Sequence, residues 1–430
     1  MRESSIWLEN INTLDFPILN EDLETDVLII GGGIAGILCA YELKKRNINC
    51  VLLEKNKIGN GTSKDTTAFL TFQHDCLYQD LIDKLGKEKA KEYLDLNLDA
   101  IRDYKRLSEE YDFDFKECTS NIYTSEDVDL IFKEKEALSS LGIECDLIVD
   151  TPLELNIKAG LKVKECATIH PLKLINSLSQ SLNIYEHTKV RKLKGNKAYT
   201  STGHIVRFSN VVICTHYPIN NIKGFYFPRI TQRRSYVVNI KNKEINDMFI
   251  NFDEDGIYFR GYMDNLIIGG NDRDTKSICI KNFLEKIKSM FPNFEITNYW
   301  SGQDCMTLDG VPYIGKFDII HDNYYVVTGF NLWGYTWAMA SSKIIADLLE
   351  RRKEYKLVDP RRIVINKQLF VNLGTSIKNL LTLKRPRCTH MGCSLNYNKE
   401  EKVYECPCHG SRFDKKGNVL NGPAKKNKNL

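Results

Sequence analysis

The sequence lacks any apolar run of the roughly twenty residues that a membrane-spanning helix needs, although 42% of its 430 residues are hydrophobic. It also lacks a signal-like start. The first residues, MRESSIWLENINTLDF, carry acidic side chains where a secretory signal peptide has a basic and then an apolar region. We therefore expect a soluble, cytoplasmic protein without a membrane span. At this length, two or three globular units are expected.

The chain has little net charge, only +4, and no module in which basic residues alternate with exposed aromatic residues. This composition argues against a nucleic-acid partner. The charge is nevertheless uneven. From Arg351 to Leu430 there are 19 Lys and Arg against 6 Asp and Glu, a net +13, which leaves −9 for the rest. The simplest interpretation is a basic tail that docks on its own acidic body.

A disulfide framework is not indicated either, because the thirteen cysteines occur without a secretory signal. Scattered intracellular cysteines are usually small buried hydrophobic residues. Nine occur singly, at Cys39, Cys50, Cys76, Cys118, Cys145, Cys166, Cys214, Cys279 and Cys305. Four are clustered in the tail, at Cys388, Cys393, Cys406 and Cys408, where metal ligation is the better interpretation.

A nucleotide-binding pattern occurs near the N-terminus. The apolar segment Asp26–Ile30 predicts a buried parallel strand, and the glycine-rich sequence GGGIAG follows it directly. An apolar helix is predicted from Ile37 to Lys45, and a second strand, Cys50–Leu53, ends in Glu54. Strand, turn, helix, strand and acid in this order are typical of a dinucleotide-binding domain.

Each residue type in this pattern has a physical reason. Gly31 permits the tight turn, Gly33 lets the backbone approach a pyrophosphate, and Gly36 lets the helix lie close to the strand. The N-terminus of the helix offers free N–H groups to the phosphates. Glu54 suits the ribose hydroxyls and disfavours a 2′-phosphate, so NADP is not expected. The candidate residues are Gly31, Gly33, Ile34, Ala35, Gly36, Glu54 and Lys55.

Later motifs favour FAD. The segment LLEKNKIGNGTSKDTTAFLT resembles flavoproteins of the D-amino-acid oxidase superfamily, with Gly61, Thr62 and Ser63 at the turn beside the FAD phosphates. The stretches around Val190 and at Asn210–Pro218 resemble the strands that close round the adenine. The sequence WSGQDCMTLDGVPYIG and the helix after it resemble the final FAD motif, in which Gly334, Tyr335 and Thr336 face the flavin pyrimidine.

This resemblance implies an α/β architecture, with a discontinuous, doubly wound (Rossmann-like) FAD-binding domain and an α+β substrate domain. We expect an N-terminal extension over 1–24 and a flavoprotein over 25–350. The expected FAD-binding pieces are about 25–75, 165–215 and 300–350, and the substrate domain is about 76–164 and 216–299. Helical spacing at Tyr78–Tyr111 and alternation at Arg234–Ile240 and Gly256–Ile268 predict helices and an antiparallel sheet there.

The tail carries the spacing of a different centre. A C-x-H pair, Cys388 and His390, and a C-x-x-H pair, Cys406 and His409, supply the two thiolates and two imidazoles that a Rieske [2Fe–2S] centre needs. By resemblance to Rieske proteins, the two cysteines bind one iron and the two histidines the other. The resemblance further implies a disulfide candidate, Cys393 with Cys408, and a proline loop, Gly422-Pro423-Ala424, that covers the cluster.

Two other kinds of metal site fit the tail less well. A structural zinc site also uses two cysteines and two histidines, but it favours C-x₂₋₄-C and H-x₃₋₅-H pairs. A four-cysteine cluster through Cys388, Cys393, Cys406 and Cys408 conflicts with the tight C-P-C spacing at its end. The Rieske lobe, over 381–430, is expected to be shortened, because a predicted helix, Asn372–Leu381, leads almost directly into the first ligand. Residues 351–380 are expected to form a basic linker.

The resemblance to the oxidase superfamily implies oxidation of a C–N bond in an amine or amino acid, with hydride passing to the flavin. Electrons would then pass through the cluster to another carrier, such as an acidic ferredoxin or flavodoxin. An oxygen-using oxidase with a structural cluster and a non-enzymatic redox sensor are the alternatives. No catalytic residue is assigned. Polar candidates near the motifs are His74, His216, Tyr258, Arg260 and Tyr262, and Cys305 is not expected to hold the flavin covalently.

Overall fold

A computed structural model of the chain describes residues 1–153, 155–274, 280–383, 386–424 and 426–428. The scattered Cys279 lies outside the described residues. The first strands are β1 (Arg2–Glu3), β2 (Leu23–Ile30), β3 (Cys50–Leu53), β4 (Phe69–Leu70), β5 (Lys116–Thr124), β6 (Asp146–Ile148), β7 (Ala159–Thr168), β8 (Ile184–Tyr185), β9 (Val190–Lys194), β10 (Lys197–Thr200) and β11 (Ile205–Ile213). The later strands are β12 (Ile230–Lys241), β13 (Met248–Asn251), β14 (Ile257–Tyr262), β15 (Asn265–Asp274), β16 (Ile296–Thr307), β17 (Tyr313–Lys316), β18 (Tyr324–Thr328), β19 (Asn396–Asn398), β20 (Val403–Glu405), β21 (Arg412–Phe413) and β22 (Val419–Asn421). The helices are α1 (Ile34–Lys45), α2 (Tyr78–Leu85), α3 (Lys87–Ser108), α4 (Val128–Ser140), α5 (Pro171–Ser179), α6 (Ile280–Met290), α7 (Gly334–Arg351) and α8 (Lys367–Leu381).

The nucleotide-binding half is built on an eight-stranded sheet in the order β17-β18-β11-β2-β3-β8, with β10 beside β11 and β9 beside β10. The strands from β18 to β8 are parallel. The last four residues of β2, at positions 27–30, are apolar and buried on both faces of the sheet, as expected for a parallel strand that is covered on both sides. Helices α1 and α7 pack together on one of these faces. The predicted strand, turn, helix and second strand are present, and the helix begins at Ile34, three residues earlier than predicted.

The second half is a ten-stranded, mostly antiparallel sheet in the order β1-β16-β12-β15-β14-β13-β5-β7-β4, with β6 beside β7. Long strands β12 and β16 pair along their whole length. The helical segment predicted at Tyr78–Tyr111 divides into α2 and α3 at Gly86, whose φ of 86° ends the first helix. The alternating segment Gly256–Ile268 forms the hairpin of β14 and β15. The α/β fold class with an α+β second domain is confirmed.

Two elements cross the domain limits that the sequence suggested. Strand β16 passes through residue 300, the expected start of the last FAD-binding piece, because it pairs with β12 in the larger sheet. The segment expected as a basic linker contains helix α8, whose N-cap Asn366 accepts a hydrogen bond from the backbone N–H of Leu369. The division into domains given by those limits therefore stays a prediction.

The tail beyond α8 folds as a small lobe on four strands of two or three residues each, in the order β19-β20-β21-β22. Its apolar core consists of six buried residues, three of them cysteines: Cys388, Cys393, Leu395, Cys406, Phe413 and Ala424. No strand of the lobe precedes Cys388 in the part of the tail that the structure describes. Among the described residues no helix is both long and apolar enough to cross a membrane.

Candidate functional site

A cavity of about 1100 Å³ lies between the two large sheets, at the carboxyl ends of β2 and β11 and at the N-terminus of α1. Ligands of open α/β sheets bind at this edge. Most of the residues predicted to bind the flavin line the cavity. They are Gly31, Gly33, Ile34, Ala35, Glu54, Lys55, Gly61, Thr62, Ser63, Val190, Gly334 and Tyr335.

The glycine turn is closed too tightly for any larger residue. Gly31 has a φ of 111°, and a Cβ atom there would lie 2.5 Å from the carbonyl oxygen of Cys214. A Cβ atom at Gly36 would lie 1.9 Å from the carbonyl oxygen of Gly31, so this glycine brings α1 onto the turn without lining the cavity. Together these contacts keep the helix N-terminus open toward the cavity, as a bound pyrophosphate requires.

Side chains fix the rim of this turn. The hydroxyl of Ser63 accepts a hydrogen bond from the backbone N–H of Ile34 at 2.9 Å. Glu54, at the end of β3, accepts hydrogen bonds from the backbone N–H groups of Gly32 and Asn56, each at 2.8 Å. The acid is therefore held in place at the rim of the cavity. A carboxylate fixed at this position suits the hydroxyls of an adenosine ribose, so the residues present fit FAD.

The second helix that faces the cavity is α7, which begins at Gly334. The hydroxyl of Tyr335 donates a hydrogen bond to the carbonyl oxygen of Ser63 at 2.9 Å and ties this helix to the predicted phosphate turn. Thr336 faces the other way. Its hydroxyl is buried 3.5 Å from Nε2 of His74, so it does not line the cavity.

The opposite wall of the cavity, formed by the ten-stranded sheet, is polar. Arg233 and Asp304 are paired neighbours on β12 and β16, and Asp75 lies on the same cavity. Burial and the negative charge of Asp65 raise the pKa of Asp304 to about 7. Burial raises the pKa of Asp75 to about 6, against the opposing effect of Arg233. Both carboxyls lie deep in the protein but keep part of their surface open to the cavity.

Sequence reasoning missed these three residues. The alternation of Arg234–Ile240 did indicate a strand, but strand spacing alone does not say that Arg233 ends opposite Asp304. The signal in the sequence was a charged residue inside each of two long strands, Arg233 in β12 and Asp304 in β16.

The polar candidates from the sequence divide into two groups. His216 and Tyr258 line the cavity, and burial lowers the pKa of His216 to about 4. His74, Arg260 and Tyr262 do not line it and have structural contacts. The guanidinium of Arg260 donates to the carbonyl oxygens of Ala68 and Ile169 at 2.8 and 3.3 Å, so it is not available to anchor a substrate.

Of the other two, His74 hydrogen-bonds Tyr93 at 2.8 Å, and burial lowers its pKa to about 3. The hydroxyl of Tyr262 donates a hydrogen bond to Asp114 at 2.7 Å.

Cys305 lines the cavity, but its thiol is engaged by Gln232 and by the carbonyl oxygen of His216, each at 3.6 Å. Burial also raises the pKa of Cys305, which disfavours the thiolate. Noncovalent FAD remains our prediction.

The two predicted ligand loops of the tail lie together, and the group of three sulfur atoms that could hold a metal there contains one predicted iron ligand, Cys406, with the predicted disulfide pair. The Sγ atoms of Cys393, Cys406 and Cys408 lie within 4.8 Å of one another, and the rings of His390 and His409 are 5.0 Å apart. The Nδ1 atom of His409 is buried and has no hydrogen-bond partner among the described residues. A buried nitrogen in this state is costly unless it binds a metal, so the residues present fit the [2Fe–2S] cluster.

The ligand loops lie against the wall of the flavin cavity. The Nε2 atom of His390 is 3.1 Å from Oδ1 of Asn221, and that of His409 is 3.0 Å from the carbonyl oxygen of Phe227. Between the histidines and the cavity stands Tyr217, whose ring centroid is 5.8 Å from His390 and 6.1 Å from His409. Tyr217 itself lines the cavity, and so do residues 420–424 of the tail, which include the predicted proline loop.

The backbone of the second ligand loop is also seated on this wall. Gln303, which lines the cavity, donates a hydrogen bond to the carbonyl oxygen of Gly410 at 3.0 Å. A Cβ atom at Gly410 would lie 2.4 Å from Nε2 of Gln303, and its φ of 70° also requires glycine. The loop therefore reaches the wall without an intervening side chain.

A buried ion-pair network joins the lobe to the body, and we call it the lobe latch. Its members are Arg234 of β12 and Glu401, Glu405 and Arg412 of the lobe. Arg234 lies 3.4 Å from Glu401 and 2.9 Å from Glu405, and Arg412 contacts both carboxylates. Arg234 is 1% exposed, and Tyr236 donates a hydrogen bond to Glu401. Buried charges of this kind are sensitive to the loss of any one partner.

Comparison with known proteins agrees with these two sites. A model of the FAD dependent oxidoreductase family, DAO, matches residues 26–348, and a model of the Rieske [2Fe-2S] domain matches residues 347–429. The chain is 31% identical to YhfW of Bacillus subtilis (strain 168), named as a Rieske 2Fe-2S iron-sulfur protein, over 97% of this chain and 95% of that one.

Two solved structures share the fold. L-proline dehydrogenase from P. horikoshii has a TM-score of 0.67 at 23% identity and covers 79% of this chain and 98% of its own. Glycine oxidase from Geobacillus kaustophilus has a TM-score of 0.67 at 18% identity and covers 80% of this chain and 100% of its own. With these matches the cofactors follow, FAD in the first domain and a [2Fe–2S] cluster in the second. The chain belongs to the DAO family of FAD-dependent oxidoreductases and is fused at its C-terminal end to a Rieske domain.

Proposed function

We propose that this oxidoreductase is a dehydrogenase of an amino acid or amine and that its substrate electrons leave through the Rieske cluster. The observation that carries the proposal is the position of Tyr217, which lines the flavin cavity and contacts the rings of both predicted histidine ligands. Electron transfer slows steeply with distance. One aromatic side chain that touches both sites is a short connection between them.

The lobe is fixed in this position on three sides. Asn221 and the Phe227 carbonyl hold the two histidine rings, Gln303 holds Gly410, and the lobe latch holds the strands behind them. A lobe fixed by buried contacts keeps one distance to the cavity. The lobe can therefore accept electrons from the flavin without a domain movement. This favours a role for the cluster in each catalytic turnover.

We assign the cofactor contacts as follows. Backbone N–H groups of Gly33 and Ala35 would hold the pyrophosphate, Glu54 would hold the ribose, and the N-terminus of α7 at Gly334 would lie at the isoalloxazine end of the FAD. Cys388 and Cys406 ligate one iron, and His390 and His409 the other. Cys393 and Cys408, whose sulfur atoms lie within 4.8 Å, form the bridging disulfide under oxidising conditions.

The polar wall favours a zwitterionic substrate. The cavity offers a cation, Arg233, to a carboxylate and an acid with a pKa of about 7, Asp304, to an amine. Oxidation of a C–N bond needs the neutral amine, and a carboxylate at Asp304 can accept its proton. The names of the two similar structures, L-proline dehydrogenase and glycine oxidase, fit an amino-acid substrate. When bound, FAD would supply a two-electron hydride acceptor, and the [2Fe–2S] cluster would supply a one-electron carrier that passes these two electrons on one at a time to the external acceptor.

The acceptor that we propose is a one-electron carrier such as a ferredoxin or a flavodoxin. The test is an anaerobic screen of flavin bleaching against D- and L-amino acids, N-methyl amino acids and primary amines, followed by turnover with ferricenium as acceptor. We expect at least one amino acid to bleach the flavin and to support ferricenium reduction. Rapid peroxide formation with a cluster that stays oxidised would instead indicate an oxidase. Failure of every compound to bleach the flavin would refute the substrate class.

A further inference from the structure

Helix α8 packs on the protein through a mixed face, on which the half-buried Leu369 and Leu373 lie beside polar side chains. The side-chain amide of Asn372 donates to the carbonyl oxygen of Pro228 at 2.9 Å, and Ser376 is buried. The carbonyl oxygen of Asn379 accepts hydrogen bonds from the backbone and the hydroxyl of Ser394, both at 3.0 Å. A helix that belongs to a folded core normally turns its apolar face inward.

In α8 a second set of apolar side chains points outward. Phe370, Ile377 and Leu381 are 63%, 57% and 74% exposed, and their spacing of seven and four residues places them on one stripe. The stripe continues beyond both ends of the helix, where further apolar side chains are exposed. The exposed apolar residues of this segment, which we call the α8 face, are Ile363, Ile365, Phe370, Val371, Ile377, Leu380, Leu381 and Leu383.

Exposed apolar residues that occur singly need no explanation, but a contiguous patch marks a binding surface. The helix of fifteen residues alone is about 22 Å long at 1.5 Å per residue. A stripe of this length, with three large side chains on one line, exceeds the scattered exposure of an ordinary surface. A patch of this kind is typical of a binding surface.

Positive charge flanks the stripe. Lys367 and Lys378 are exposed, at about 60° and 80° around the helix from Phe370. Arg387 donates hydrogen bonds to the carbonyl oxygens of Leu380 and Thr382 at 2.8 and 3.2 Å, which places a third cation at the C-terminal end. The segment belongs to the part of the chain, from Arg351 onward, with a net charge of +13. Apolar residues between cations are typical of helices that lie in a membrane interface.

We propose that the α8 face binds the surface of an anionic lipid bilayer, with the helix parallel to the membrane plane. The stripe enters the boundary between headgroups and acyl chains, the exposed Lys367 and Lys378 contact the anionic headgroups, and Arg387 adds positive charge at the C-terminal end. A second copy of the chain is a poorer occupant. Two such faces in contact would bring their cations together without an acidic residue on α8 to offset them.

The experiment uses the holoprotein and sedimentation with phosphatidylglycerol vesicles and, separately, with phosphatidylcholine vesicles. We expect binding to phosphatidylglycerol that weakens with salt, and much weaker binding to phosphatidylcholine. Phe370→Glu with Ile377→Glu should lower vesicle affinity about tenfold or more, because charge cannot enter the acyl region. Lys378→Gln should lower affinity for phosphatidylglycerol alone, by about fivefold.

The matched control is Ile319→Glu, at an apolar residue that is 89% exposed on a loop of the body, and it should bind vesicles like the parent. Flavin content and the EPR signal of the cluster verify that each variant is folded. Two results would overturn the proposal. One is holoprotein that stays in the supernatant with phosphatidylglycerol vesicles. The other is a dimer in solution that the Phe370→Glu, Ile377→Glu variant dissociates. Neither readout needs a substrate, so failure here is independent of the proposed dehydrogenase activity.

Discussion

The Nε2 atom of His390 lies 3.1 Å from Oδ1 of Asn221, so a predicted cluster ligand of the tail is hydrogen-bonded to the flavoprotein body. The second histidine, His409, makes the corresponding contact with the Phe227 carbonyl at 3.0 Å. In both rings the nitrogen that makes this contact is Nε2. The Nδ1 atom of each ring can therefore serve as the iron ligand. The tail therefore contacts the flavoprotein body through the loops that carry the predicted cluster ligands.

The lobe latch should carry a large share of the lobe's stability. Glu401→Gln leaves Arg234 and Arg412 buried with half of their countercharge, so we expect it to destabilise the protein by about 3 kcal/mol. Thermal unfolding and proteolysis of the tail measure this. The matched control is Glu165→Gln. Glu165 pairs with Arg102 at 3.1 Å on the surface, where both side chains are at least half exposed, and its loss should cost about 1 kcal/mol or less. Equal effects from the two variants would contradict a buried latch.

The glycine turn should be essential for FAD. Gly36→Ala places a methyl group 1.9 Å from the carbonyl oxygen of Gly31, a backbone atom that cannot move without opening the turn. We expect purified Gly36→Ala protein to contain less than about a tenth of the parent's flavin, measured by absorbance. Gly374→Ala, where the added Cβ meets nothing within 4 Å, should keep full flavin content.

The flavin itself should be held without a covalent bond, because the thiol of Cys305 is buried and engaged by Gln232 and His216. Acid precipitation of the parent should release the yellow chromophore into the supernatant. Colour that stays in the pellet would show that the prediction is wrong.

The cluster should have two histidine ligands. Reduced protein is expected to give an EPR spectrum with an average g below that of four-cysteine clusters, because two neutral imidazoles replace two thiolates on one iron. His409→Cys should move the spectrum toward the four-cysteine type or remove the cluster. Stoichiometric zinc in place of iron in the parent would contradict the assignment.

Asp304 should give the flavin-reduction rate a pH dependence. Its pKa is raised to about 7, so the carboxyl is protonated below this pH and can accept a proton from the substrate only above it. We expect the rate of flavin reduction by an amino acid to rise through pH 7 and then level off. Asp304→Asn should remove this inflection and slow reduction by about 100-fold. A variant that keeps the inflection would assign it to another group.

The same raised pKa has a consequence for stability. Because the folded protein binds the Asp304 proton more tightly than the unfolded chain does, this group stabilises the apoprotein at low pH. That contribution is lost as the pH rises from the ordinary carboxyl range through 7. The difference in unfolding midpoint between the parent and Asp304→Asn apoproteins should therefore change in favour of the variant as pH increases.

The features that the sequence predicted well are those encoded within a short segment. The glycine turn between β2 and α1 needs only six consecutive residues, and the two ligand loops of the tail each need three or four. The residue types themselves indicate what each feature requires. A positive φ at Gly31 requires glycine, and a Rieske loop requires a cysteine and a histidine close together.

The features that the sequence did not predict depend on contacts between distant segments. Arg233 and Asp304 meet because β12 and β16 pair in register across 71 residues of sequence. Tyr217 follows a strand of the nucleotide-binding sheet, and only the seating of the tail shows that it contacts His390 and His409. The exposure of the apolar stripe on α8 also depends on tertiary packing, because the sequence pattern of a helix does not reveal which of its faces is covered.

The central claim, electron transfer from flavin to cluster within one chain, is tested most directly by anaerobic single-turnover mixing with the amino acid that bleaches the flavin fastest. Rapid freezing at successive times lets EPR follow the reduced cluster while absorbance follows the flavin. Tyr217→Leu removes the aromatic contact with both histidines and is compared with the parent. We predict that in the parent the cluster signal appears as fast as the flavin can supply electrons, and that in Tyr217→Leu it appears at least about tenfold later. A fully reduced flavin beside a cluster that stays oxidised in the parent would contradict the account.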